Sequence, residues 1–191
     1  MYQLRTLATL AVCAAGVATA AVLPSGLSSQ EDASAQETPA PEPTAVHKKL
    51  LEGVGEWVGK LDSKYPGTPP MVVPATETVT ALGPFHTVSN FHCEFFGTAY
   101  HGLGIMGYDE ANDEMFGTWT DNMNAHTSVM RGKTNLRTGV TEMHYEAPGP
   151  DGGPMMPHRN VMQNSKDAYT ITFYMGEGDS EVEIMKISMK R

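Results

Sequence analysis

From Trp57 to the C-terminus the chain repeats one device. A short run of alternating apolar and polar residues is followed by a polar or glycine-containing turn, and then by another run. Period-two alternation belongs to strands with one buried face. The runs are Trp57 to Asp62, Thr76 to Leu82, Phe85 to Phe96, Ala99 to Tyr108, Met115 to Asn122 and His126 to Lys133, followed by Val140 to Glu146, His158 to Asn164, Ala168 to Met175 and Val182 to Arg191. No connection reads as a helical crossover, so sequential strands pair as antiparallel neighbours. About ten strands of this kind predict an all-β, antiparallel up-and-down β-barrel, because closure removes exposed sheet edges. The last run changes phase at Ile184-Met185, which predicts a β-bulge.

One helix precedes the strands. Val46, Leu50, Leu51, Val54 and Trp57 have helical spacing, Thr44 is placed to cap the start, and Gly53 and Gly55 limit the helix to two or three turns. Within the strands, the block from Gly97 to Met123 is the most informative. It reads as two strands joined by the polar turn Asp109-Glu-Ala-Asn-Asp113. Gly102 and Gly104 share a face of the first strand, where a missing side chain permits sharp bending or close approach. Trp119 and Asp121 share a face of the second.

The N-terminus reads as an export signal. Residues 1–5 carry one positive charge, Thr6 to Leu23 is almost wholly apolar, and small-x-small cleavage patterns end at Ala20 and Ala35. Cleavage after Ala35 is preferred, giving a signal peptide over 1–35; retention of the leader as an anchor is the alternative. Residues 36–43 are Gln, Glu, Thr, Pro and Ala and read as a disordered linker. Residues 44–191 then form one domain. The expected location is the periplasm or the extracellular space, with no stable membrane insertion once the leader is removed. A net charge of −9 makes nucleic acid an unsuitable partner.

Several residue types invite chemistry. Cys13 leaves with the leader, so Cys93 stands alone between Phe91 and Phe95 and reads as a small buried side chain. His92 with Glu94, and Glu142 with His144 and Glu146, each share a face, but the face opposite an apolar one. They read as solvated outer surfaces, and no metal site is expected. The methionines suit either an adaptable apolar pocket or ordinary core packing. Asp121-Asn122 leads into a loop, which favours a turn-capping role for the carboxylate, with Arg159 as a candidate charge partner. No serine has a nucleophile-elbow context.

The motifs His47-Lys-Lys-Leu50, Gly55-Glu-Trp57, Gly102-x-Gly104, Gly107-Tyr-Asp109, Trp119-x-Asp121-x-Met123 and Met185-Lys-Ile187 together resemble the bacterial domain-of-unknown-function family DUF1579. The resemblance runs from about Val46 to Arg191. It implies a lipocalin- or calycin-like barrel and supplies no activity. Characterised barrels with a similar Gly-x-Trp entry hold apolar ligands or, in nitrobindin-like members, haem through a histidine near the C-terminal end. The last histidine here is His158, a departure that argues against haem, and no cofactor is expected.

The reading is a non-enzymatic module that encloses a small, largely apolar ligand. Trp57, Tyr100, Tyr108, Trp119 and Met123 are expected to line the site, with Asp121 at its rim. Two alternatives stand beside it. One is a barrel-pocket enzyme with Asp121 as base and His101 or His126 as acid. The other is a packed structural domain without a ligand. Ligand identity and oligomeric state are not legible in the sequence.

Overall fold

The computed structural model describes residues 41–191. The leader, its cleavage sites, Cys13 and most of the linker lie outside the described residues. The helix α1 (Ala45–Leu51) comes first, followed by β1 (Gly55–Ser63), β2 (Met71–Leu82), β3 (His86–Phe95), β4 (Thr98–Asp109), β5 (Glu114–Asp121), β6 (Ser128–Asn135), β7 (Val140–Pro148), β8 (Met155–Asn164), β9 (Ala168–Met175) and β10 (Val182–Lys190). Each strand pairs antiparallel with its sequence neighbour, and β1 pairs with β10 to close a ten-stranded barrel. The predicted architecture is therefore the observed one. The bulge falls between Glu183 and Met185, where the phase slip placed it.

Strand β2 begins earlier than its alternation suggested, because it runs through Pro74. The ladder between β2 and β3 starts at Ala75, so Pro74 has a paired neighbour on one side only. A residue without an N–H is tolerated in a strand at such a position.

The register fixes which side chains point inward. Trp57, Glu77, Phe91 and Gly102 form one row across β1 to β4, and Gly104 lies opposite Trp119 on β5. Two packed regions fill the barrel. Trp57, Leu61, Ala75, Phe91, Tyr169, Ile187 and Met189 form one. Met115, Met130 and Met143 form the other, with Val46 and Leu50 of the helix packed against them. Full burial of such side chains contributes about 1.5–3 kcal/mol each. With no disulfide possible at the single described cysteine, this core carries the stability.

The helix covers the barrel end formed by the finish of β4 and the start of β5. His47 holds it there. Its Nδ1 accepts from the Thr44 backbone N–H at 3.1 Å, so Nε2 carries the proton and donates to the Tyr108 carbonyl at 3.1 Å. The ring meets Phe85 and Tyr108 edge-on. Thr44 caps the helix as expected, and His47 completes a reciprocal capping box. The opposite end carries the loops that follow β1, β3, β5, β7 and β9.

Candidate functional site

The glycine pair on β4 explains the seat of Trp119. A Cβ built on Gly102 would lie 2.1 Å from Trp119 Cζ2, and one on Gly104 would lie 2.9 Å from Trp119 Cε3. The indole therefore lies across the bare backbone of β4. Its Nε1 donates to the Tyr100 hydroxyl at 3.0 Å, and Phe91 meets it edge-on. Burial pushes the Tyr100 phenol well above its ordinary range, and the nearby Asp121 carboxylate pushes in the same direction.

Asp121 shares the inward face with Trp119, and its oxygens serve the loop that follows. Oδ1 accepts from the Met123 N–H at 2.8 Å and the Asn124 N–H at 2.9 Å, and both oxygens receive the Asn124 side-chain amide. This is an Asx-type turn. Met123 lies in that loop with its side chain exposed. Thus Tyr100, Trp119, Asp121 and Met123 gather at the loop end of the barrel. Trp57 and Tyr108 do not join them. Trp57 is 3% exposed, donates to the Gly53 carbonyl at 2.9 Å and packs on Tyr169. Tyr108 lies beneath the helix and donates to Asp113 at 2.7 Å. Tyr108 belongs to the helix-covered region of Met115, Met130 and Met143, while Trp57 belongs to the other packed region, against which Tyr100 and Trp119 also pack.

The other proposed partners of Asp121 also sit elsewhere. His101 is on the outer face of β4, stacked on His92 at 4.2 Å between ring centroids. Arg159 pairs with Glu181 at 2.5 Å and with Glu142 at 3.4 Å rather than with Asp121, because the outward parity of β8 aims it away from the interior. Glu94 and His144 are exposed, and among the described residues no three His, Cys, Asp or Glu side chains gather around a common point. Cys93 points inward, and burial raises its thiol pKa.

Two inward polar residues outside the expected site bear on what the interior can do. Glu77 accepts from the Ser89 hydroxyl and from the Tyr169 hydroxyl, which ties β2 and β3 to β9 across the interior. Burial, then the Glu77 charge, pushes the Tyr169 phenol strongly upward. The usable signal was a carboxylate on the parity of Val73, Ala75 and Val79. The second residue is His158, on the parity of Met156, Asn160 and Met162.

His158 lies beside an opening in the wall. The ladder between β6 and β7 runs only from Arg131 opposite His144 to Asn135 opposite Val140. Ser128–Met130 and Tyr145–Pro148 therefore have no ladder partners across this seam, although each strand is paired on its other side. A cleft of about 520 Å³ occupies the parting. Thr127, Val129, Met155 and Pro157 form its walls, and the inward-facing Tyr145 and His158 form its floor. The His126 Nε2–H donates to the Glu146 carbonyl at 3.2 Å, partly replacing the missing strand. Burial pushes the Tyr145 phenol up to about 12. A second opening, of about 30 Å³, lies between the helix and Met115 and Met162.

A ten-stranded antiparallel barrel with a short helix across one end and an opening in its wall defines a calycin-like protein. The chain belongs to the family described as "Protein of unknown function (DUF1579)", which matches residues 42–191. No curated protein matches it. Among solved structures it is similar to Rv2717c from M. tuberculosis, with a TM-score of 0.62 and 12% sequence identity over 78% of this chain and 99% of that one. At that identity the likeness is one of fold.

Proposed function

We propose that this protein binds a small, largely apolar ligand, that the ligand enters through the parted seam between β6 and β7, and that the protein works after export. The observation that carries the reading is the unpaired stretch of Ser128–Met130 and Tyr145–Pro148, with a cleft of about 520 Å³ running onto buried aromatic rings. That volume falls within the range of small-molecule sites, and Val129, Tyr145, Met155 and Pro157 give it apolar wall among an otherwise polar lining. This moves the expected site away from Trp119, whose ring is fitted against β4 and Phe91. The N-terminal stretch that reads as an export signal supports an extracytoplasmic carrier, and the acidic composition disfavours nucleic acid as a partner.

Binding of an environment-sensitive apolar fluorophore, dansyl-undecanol, tests the reading. The expected result is saturable one-to-one binding, weakened by about tenfold in Val129→Arg. Val129 is 60% exposed, so this substitution narrows the cleft without disturbing the core. Absence of saturable binding, together with a bare mass in native mass spectrometry of protein from its own host, refutes the reading.

A further inference from the structure

We infer that the cleft selects ligands whose polar head donates a hydrogen bond, and that the acceptor is Nε2 of His158; the inference rests on the cleft being a binding site. His158 is 5% exposed. Its Nδ1 lies 2.9 Å from the Met156 carbonyl. A carbonyl only accepts, so Nδ1 must carry the hydrogen. In the neutral ring that leaves the lone pair on Nε2. Tyr145 stacks on the ring with centroids 5.3 Å apart, which fixes the imidazole plane.

Among the described residues Nε2 has no hydrogen-bond partner. No side-chain nitrogen or oxygen among the described residues is both sealed from solvent and unpartnered. Nε2 is therefore open, and the opening that His158 lines is the cleft. A nearly buried acceptor that faces a cavity without a protein donor is completed by whatever fills that cavity.

The surroundings favour a neutral donor over an anion. The Arg131 guanidinium at the rim pairs with Glu114 at 2.8 Å, and His144 pairs with Glu142 at 3.0 Å. Glu146 adds a carboxylate to the same rim. His126 has its Nε2–H committed to the Glu146 carbonyl. Among the described residues that line the cleft, no arginine or lysine is left without a carboxylate partner to hold an anion. The ligand class that fits is an apolar body with a hydroxyl, phenol or amide N–H head.

Calorimetry at about pH 8, above the ordinary imidazole range, with 1-decanol, its methyl ether and decanoate tests this inference. The alcohol is expected to bind about tenfold tighter than the ether or decanoate, as a hydrogen bond to a desolvated acceptor predicts. His158→Phe, which keeps an aromatic ring under Tyr145, should abolish the preference while retaining the ether. The wild-type protein gives a test that needs no variant. Its imidazole 15N spectrum should show Nδ1 as the protonated nitrogen of His158 and should shift Nε2 when decanol is added. Equal affinity for alcohol and ether, or a bare Nδ1, overturns the head-group inference while leaving apolar binding in place. Failure of all three probes to bind overturns both.

Discussion

Replacing Gly102 with alanine tests the seat of Trp119 most directly. The new Cβ would sit 2.1 Å from Cζ2, 2.8 Å from Cε2 and 2.9 Å from Cη2 of the indole. Those atoms belong to a rigid ring that cannot bend away locally. The whole side chain must tilt, and its Nε1 hydrogen bond to Tyr100 and its edge contact with Phe91 resist the tilt. Overpacking of this kind costs about 1–3 kcal/mol. Removing a glycine from a strand returns roughly 0.5–1 kcal/mol, so the net effect is destabilising by about 1–2 kcal/mol. For a domain of this size that lowers Tm by about 2–8 °C. Gly104→Ala should cost less, because its nearest ring atom is 2.9 Å away and the next is 3.1 Å away. Urea unfolding of Gly102→Ala, Trp119→Leu and the double variant closes a cycle. Once the ring is gone the alanine should stabilise by roughly 0.5–1 kcal/mol, giving a coupling of about 1–3 kcal/mol. A Gly102→Ala protein as stable as wild type, or strict additivity with Trp119→Leu, refutes the account of this glycine pair.

Three further outcomes follow from particular contacts. His47→Ala removes both the capping partner of Thr44 and the donor to the Tyr108 carbonyl; chemical denaturation should show a loss of about 2 kcal/mol, and hydrogen exchange should quicken in the helix before it does in the barrel. Arg159 holds the Glu181 carboxyl below its ordinary value of 4.5. A folded-state pKa below the unfolded one gives stability that is present above about pH 4.5 and is lost as pH falls through the folded value, so Glu181→Gln should flatten the acid limb of a Tm-against-pH curve. The Cys93 thiol is partly buried and its pKa is raised by that burial, so a disulfide reagent at neutral pH should label it slowly in the folded protein and promptly in urea.

The faces of the strands were legible because alternation reports burial directly. The inward parity of Trp119 with Asp121, the outward parity of His92 with Glu94, and the bulge before Met185 all follow from it. Depth along the barrel axis was the harder quantity. Tyr108 nearly ends β4 and lies in the helix-covered region. Tyr100 opens β4 and Trp119 nearly closes β5, so both belong to the opposite end. Trp57 belongs to the packed region that these two touch. One expected site was therefore spread over two packed regions. Glu77 and His158 fall outside the expected site for a different reason. Glu77 stands in an otherwise apolar row, where a single polar residue looks like noise until its hydrogen-bond partners on β3 and β9 are seen; on β8 both His158 and Asn160 face inward, so the alternation there does not announce which face is buried.

The seam itself is a property of two strands together. Alternation in 128–135 and in 140–148 is compatible with a full ladder, and nothing in either stretch alone says that pairing stops at Arg131 and His144. Opening half a ladder strips backbone groups of their partners, and each buried orphan costs about 1–3 kcal/mol. The parting is sustainable only where water or side chains take over. His126 does so at the Glu146 carbonyl, from the loop that enters β6. Its ring occupies the place of a strand partner while leaving the gap beneath open to Tyr145 and His158. A closed ladder would satisfy the same carbonyl with backbone alone and would seal His158 Nε2 behind the wall. The histidine at the rim and the histidine on the floor therefore belong to one arrangement, in which the first stabilises the opening and the second stands beneath it.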